Sequence, residues 1–341
     1  MDWTVIWWIL AALIVVFSHY GNKADFLGGV TGKNAGQFGV MLFFILSGFL
    51  MSYLYMNRSF TRQEVYNFAV ARFARVVPLF VFVVLLSYAF RVNGLGLIYN
   101  IPSVEILISH LTLLYGHAVL WTIGPEIQFY VLFVGLWALF RVRPGYVYLL
   151  MTLVFFYLVM IDFPRVQGSS AEGIRYDFSI VPSLQYFFVG VAFGQLYRHW
   201  QAPAYWRRHI FLLSFGLVIL LYPEIFKELF GRQHRVWRDV GVLMMLSSVF
   251  FCLVFLVPDK SPVLANRVGD FLGKVSFSLY LWHLPILMYF RNWFSADPEI
   301  RLPVYLAMIL FASWLSYLII EAPSRKWIRK AASWRPGSSS A

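Results

Sequence analysis

The chain has 341 residues, of which 60% are hydrophobic and 20% aromatic but only 13% charged, with a mean hydropathy of +0.69. Soluble domains carry roughly a quarter of their residues as charges, so this composition excludes an ordinary water-soluble globule and predicts an integral membrane protein. A net charge of +12 would suggest nucleic acid in a soluble chain, but here the basic residues fall between apolar runs. That is the pattern of topology signals and of contact with anionic lipid, and nucleic acid is not an expected partner.

A membrane-crossing helix takes about 20 mostly apolar residues. By that measure the sequence predicts an all-α, polytopic membrane protein with about ten transmembrane helices in one bundle. They lie near 3–19, 38–56, 74–91, 122–140, 145–161, 180–197, 209–226, 236–257, 270–290 and 302–320. The first run, Trp3 to Phe17, lacks a basic flank before it and a small-residue cleavage site after it. It reads as a retained helix rather than a signal peptide. It ends in Ser18-His19-Tyr20. An ionisable side chain at membrane depth is costly and is a functional hypothesis by default; the competing reading of His19 is an interfacial histidine among headgroups.

The second run contains Phe43 to Phe49, FFILSGF, where Ser47-Gly48 reads as a close helix contact or as a site residue beside a small neighbour. The third opens with Arg72-Phe-Ala-Arg75-Val-Val-Pro78. Arginines three apart share a helical face. They read either as a bidentate phosphate clamp or as basic residues that mark the inner end of a helix. A short apolar piece, Ile106 to Tyr115, cannot span and reads as re-entrant or interfacial.

The fourth run opens with Trp121-Thr-Ile-Gly-Pro-Glu126. Proline suits a first helical turn, and the helix dipole favours an acid there. Tyr130 follows one turn later on the same face. Glu126 either orients His19, as a carboxylate orients a catalytic imidazole, or faces water as a helix-start acid. His283, within SLYLWHLPI of the ninth run, is either a second polar group of the site or a histidine bonded to nearby backbone. The single cysteine, Cys252, allows neither an internal disulfide nor a cysteine metal cluster, and no metal site is expected. Of the 28 basic residues, 17 fall on one side, among them Arg58, Arg62, Arg141, Arg143, Arg207, Arg208, Lys260, Arg267, Lys274 and the run from Arg325 onward, and this bias predicts cytoplasmic N- and C-termini. Residues 1–335 read as one transmembrane domain, and 336–341 as a disordered tail.

Taken in order, these segments resemble the acyltransferase 3 family, the membrane O-acetylases of surface polysaccharides. The resemblance rests on His19 after AALIVVF, on FFILSGF, on Arg72 to Pro78, on WTIGPEIQFY from Trp121 to Tyr130, on GKVSFSLYLWH from Gly273 to His283, and on Glu321-Ala-Pro323. It implies transfer of an acetyl-type group from acetyl-CoA or another acyl-CoA to a carbohydrate hydroxyl. It also implies that His19 is catalytic and that the Arg72/Arg75 pair matters. Joined to the orienting reading of Glu126 and the phosphate-clamp reading of the arginines, this makes His19 and Glu126 the expected catalytic residues and Arg72 and Arg75 the expected donor-binding ones, in a multi-pass protein of the bacterial inner membrane. Ser47, Trp121, Tyr130 and His283 are further site candidates. The rival class is a transporter or flippase using the same polar residues along a path. One departure stands out: the family usually has an arginine eleven residues before the histidine, and here that position is Trp8. The arginines also read as lying near one surface and the histidine near the other, with about 30 Å of hydrocarbon between surfaces.

Overall fold

The computed structural model describes residues 5–96, 98–258, 261, 266–293 and 297–333. It is overwhelmingly helical. Among the described residues, six helices are long and apolar enough to cross a membrane: Gly36–Tyr55, Arg62–Val92, Ala118–Val142, Ile180–His199, Arg267–Arg291 and Pro298–Ala332. A seventh results if His209–Leu221 and Pro223–Phe230, bent by 87° at Tyr222, are one broken span. Pro144–Met160 and Val240–Leu256 are apolar but shorter. We label the α-helices α1 (Val5–Ala24), α2 (Gly36–Tyr55), α3 (Arg62–Val92), α4 (Val104–Leu111), α5 (Ile123–Val142), α6 (Pro144–Met160), α7 (Ile180–His199), α8 (Pro223–Phe230), α9 (Val240–Phe251), α10 (Arg267–Trp293), α11 (Pro298–Ser316) and α12 (Ala322–Ser333).

Several expectations need correction. The third helix begins about three turns before Arg72, because Thr61 caps it by accepting from the Glu64 backbone N–H at 3.2 Å. Arg72 and Arg75 therefore lie inside a helix of 31 residues and not at its end. The segment 209–226 is not a straight α-helix: His209–Leu221 is a 3₁₀-helix of 13 residues. At a rise of about 2.0 Å per residue it extends roughly 26 Å, where an α-helix of that length would reach only about 20 Å. The end of the 236–257 run, Cys252–Leu256, is wound as a π-helix. A two-stranded hairpin, β1 (Gln167–Ser169) and β2 (Arg175–Asp177), interrupts the all-α expectation. The tail expected to be disordered lies outside the described residues.

The bundle is built on close backbone approaches. A Cβ on Gly48 would overlap the Phe187 carbonyl oxygen, and one on Gly190 would overlap that of Ile45. Glycine in both α2 and α7 thus lets the two backbones touch, as lipid-embedded helices do when small residues face each other. Gly39 plays the same part between α2 and Ala11 of α1. Ser52 seals the α2–α7 seam by donating to the Val191 carbonyl at 2.8 Å. Helix α1 is held between α2 and α10. The bent segment is tied back toward α9: Arg208 N–H donates to the Leu256 carbonyl at 2.8 Å at one end, and near the bend His234 Nε2 lies 2.8 Å from the Leu221 carbonyl oxygen. Gln185 Nε2 of α7 donates to the Trp237 carbonyl at 2.5 Å just before α9.

Candidate active site

Three adjoining spaces that share lining residues run along α1, α2, α5 and α10. The largest, about 410 Å³, is lined by His19, Ser18 and Asn22 of α1, Gln37 and Val40 of α2, Trp121, and Tyr280 of α10. Val40 and Tyr280 also line a neck of about 30 Å³, together with Trp8, Arg75, Thr122, Glu126 and Ser276. Trp8, Arg75, Ser276 and Phe277 in turn line a third space of about 200 Å³ with Arg72, Lys274 and Arg325. Trp8 and His19 are eleven residues apart on α1, about 16 Å along the axis. The neck and the arginine pocket thus lie within the bundle below His19.

His19 meets His283, with ring centroids 5.2 Å apart. The His283 ring is fully buried, and its Nδ1 lies 2.7 Å from the Tyr280 carbonyl oxygen. A carbonyl only accepts, so Nδ1 carries the proton and Nε2 keeps the lone pair. That Nε2 is buried with no hydrogen-bond partner. Tyr305 holds the turn by donating to the His283 carbonyl at 3.0 Å. His283 is therefore bonded to nearby backbone through one nitrogen, and its ring packs against that of His19.

Glu126 sits one turn into α5 and lines the neck. Its Oε1 accepts from Tyr130 Oη at 2.5 Å and from Ser47 Oγ at 3.1 Å. No hydrogen bond joins Glu126 to His19 among the described residues, and His283 is the group that contacts the His19 ring. Thr122 Oγ1 donates to Tyr280 Oη at 3.1 Å, and Tyr280 Oη donates to the Val119 carbonyl at 3.1 Å. This ties α10 to the start of α5 at the neck.

Arg75 lies over the Trp8 ring, 4.1 Å from its centroid. Arg72 faces Tyr55, Phe68 and Tyr130 at 5.5, 5.9 and 6.0 Å, and its buried Nε has no partner. Aromatic faces hold the two cations by their quadrupoles. Lys274 pairs with Asp270 at 2.6 Å, and Arg325 with the buried Glu321 at 2.8 Å. Glu321 also accepts from Ser278. Sequence reasoning missed Lys274, Arg325 and Tyr280. Tyr280 carried a signal, since it precedes His283 by three and so shares its face. Arg325 reaches the pocket through a C-terminal helix that packs on α3, and no local pattern announces such a contact.

Trp121 lines the His19 cavity and packs edge-on against Trp237 at 5.6 Å. The floor beside it is fixed by His110, whose Nδ1 lies 2.7 Å from the Ile106 carbonyl and whose Nε2 accepts from the His117 backbone N–H at 2.9 Å. Burial holds His110 below the ordinary histidine range, and burial followed by the charge of Arg175 does the same for His117. A neutral His110 ring can donate through one nitrogen and accept through the other, as this loop requires.

Comparison with known proteins decides the family. A profile described as an acyltransferase domain matches residues 9–321, a stretch that includes His19, both arginines, Glu126 and His283. The chain belongs to the acyltransferase 3 family. A protein of Staphylococcus aureus (strain COL) named "Putative O-acetyltransferase" is 27% identical over 235 residues, covering 64% of this chain and 37% of its own length. The O-acetyltransferase OatA of Staphylococcus aureus (strain NCTC 8325 / PS 47) is 24% identical over 348 residues, covering 93% of this chain and 56% of its own. The chain thus spans only about 37–56% of the length of these curated relatives. No solved structure matches it.

Proposed function

We propose that this multi-pass membrane protein is an O-acetyltransferase that moves an acetyl-type group from acyl-CoA to a hydroxyl of a surface or exported glycan. The observation that carries the reading is continuity. The cavity at His19 and the cationic pocket at Arg72 and Arg75 each share wall residues with the narrow space between them, which supports one path through all three. A nucleotide thioester suits such a path, because its phosphates are bulky and anionic while its acyl-bearing arm is thin. Phosphates held by the arginine forks would leave the arm to pass Trp8, Arg75 and Tyr280 and present its thioester beside His19.

In this reading His19 removes the proton of the attacking hydroxyl, the hydroxyl oxygen bonds to the thioester carbonyl carbon, and the C–S bond breaks to release the thiol. His283 is a positioning residue: its ring lies against that of His19 at 5.2 Å between centroids and would hold the catalytic imidazole in place. Glu126 acts on the neck, where Tyr130 and Ser47 fix its carboxylate near Arg75. Positive residues around the arginine pocket support a cytoplasmic entry for the donor. We also place ten crossings in the chain, with both termini cytoplasmic: the pairing of 208 with 256 supports counting 209–230 and 240–256 as two passes.

The test is radiolabelled acetyl-CoA given to the purified full chain in nanodiscs with cell-surface polysaccharide as acceptor. Label in alkali-labile ester on the polysaccharide is the expected result. Binding of acetyl-CoA with neither release of CoA nor transfer of label would overturn the reading in favour of a carrier.

A further inference from the structure

We propose that Asp177, at the end of the β1–β2 hairpin, is an acceptor-binding residue that fits the His19 cavity to an uncharged sugar. The inference rests on the acyl-transfer reading above and adds the class of acceptor. Asp177 lines the same cavity as His19, and its Oδ1 is buried with no hydrogen-bond partner. A buried carboxylate oxygen left unpaired costs stability, so something else must satisfy it when the site is at work.

The backbone around it is held firmly. Asp177 pairs with Gln167 across the hairpin, its N–H donates to the Leu114 carbonyl at 2.5 Å, and Phe178 N–H donates to Val166 at 2.8 Å. Arg175 N–H is anchored on Ser109 Oγ at 2.8 Å. The carboxylate is therefore carried on a braced element, which is where a binding group is kept in place. Its nearest structural excuse is missing as well: Arg165 lines the cavity too, yet no ion pair joins it to Asp177 among the described residues.

The chemistry of the walls selects the ligand. One anion and one cation cancel, so the cavity holds no surplus positive charge for an acidic sugar. Gln37 and Asn22 present side-chain amides, and Asn22 Oδ1 already accepts from Lys33 N–H at 2.6 Å, which leaves its amino group as donor. Trp121 adds a flat apolar face. An unpaired carboxylate that accepts from adjacent hydroxyls, amide groups along the rim and an indole under the ring together match a neutral pyranose, whose edges are polar and whose faces are not. A volume of about 410 Å³ lies within the usual range of ligand sites.

The experiment uses the full chain in nanodiscs with acetyl-CoA and two acceptor probes, methyl glucoside and methyl glucuronide, with CoA release to water measured alongside. Wild type should acetylate the glucoside with a KM at least tenfold below that of the glucuronide. Asp177→Asn should raise the glucoside KM about tenfold, the usual loss when a charged hydrogen-bond acceptor is neutralised. It should also narrow the gap between the two sugars, while kcat, the acetyl-CoA KM and release of CoA to water stay within twofold. Asp177→Glu should recover part of the glucoside affinity, which a merely disturbed hairpin would not do. The inference falls if Asp177→Asn leaves the glucoside KM unchanged or moves the acetyl-CoA KM equally. It also falls if wild type prefers the glucuronide, or if CoA is released but neither sugar is acetylated. Absence of CoA release under every condition would instead overturn the acyl-transfer reading itself.

Discussion

The two ends of the central path are built from the same helices and yet differ in every chemical respect. Around His19 the walls are polar and close to neutral, and the space is about 410 Å³. Around Arg72 and Arg75 the walls carry four cations, and the space is about 200 Å³. Helix α10 supplies Lys274 to one end and Tyr280 to the other. A periodicity of 3.6 residues lets a helix turn one face to the path throughout, so the chemistry changes with depth and not with the element. The neck of about 30 Å³ keeps the two environments apart. Most of the cations lie at one end, with Arg75 reaching the neck and Arg165 lining the cavity of Asp177 at the other.

The contrast can be broken from either side. The largest effect is expected at His19: His19→Ala should lower acyl transfer by roughly 10²–10⁴ while leaving binding of acetyl-CoA to the arginine pocket intact, measured by label transfer and by equilibrium binding. A variant that binds the donor less well but turns over normally would reverse the assignment of the two ends. Next is the neck. Glu126→Ala strips the acceptor from Tyr130 and Ser47 and leaves two buried hydroxyls unpaired, at about 1–3 kcal/mol each. A lower thermal midpoint in detergent should accompany the loss of turnover, whereas Tyr130→Phe, which removes only one of the donors, should do less of both.

At the cationic end, Arg72→Ala or Arg75→Ala should raise the acetyl-CoA KM about tenfold without changing the acceptor KM. Lysine at either position should rescue poorly, because the planar fork and its stacking on aromatic faces are lost. Equal movement of both KM values would mean that the arginines shape the bundle and do not select a ligand. The smallest effect is expected at Trp8. Trp8→Arg removes the ring that Arg75 covers at 4.1 Å and sets a second cation beside the first, so turnover should fall a few-fold, on the scale of one cation–π contact. A sharp rise instead would mark Trp8 as an attenuating replacement for the arginine that relatives usually carry.

His19, the arginine pair, Glu126 with Tyr130, and His283 could all be named from the chain alone, because each is a polar residue at a defined place in an apolar run. The partnership of Tyr130 with Glu126 was equally legible, being a spacing of four on one helix. The contact of His19 with His283 was not, since it joins α1 to α10. Nor was the position of Arg72 and Arg75 within their helix, which depended on a cap at Thr61 three turns upstream. The hairpin that carries Asp177 is only three residues per strand, too short for alternation to stand out against its surroundings.

Composition and hydropathy by themselves determined that this chain lives in a membrane, is made of helices, and spends its few buried polar residues sparingly. They could do so because the cost of placing backbone and charge in hydrocarbon is local and additive along the sequence. Only the tertiary structure decided that the histidine and the arginines line adjoining spaces with shared walls, that Trp8 lies under Arg75, and that Lys274, Arg325 and Asp177 belong to those walls. Those facts depend on which helix faces which, and that is set by glycine contacts such as Gly48 with Phe187 and by hydrogen bonds between residues far apart in the chain.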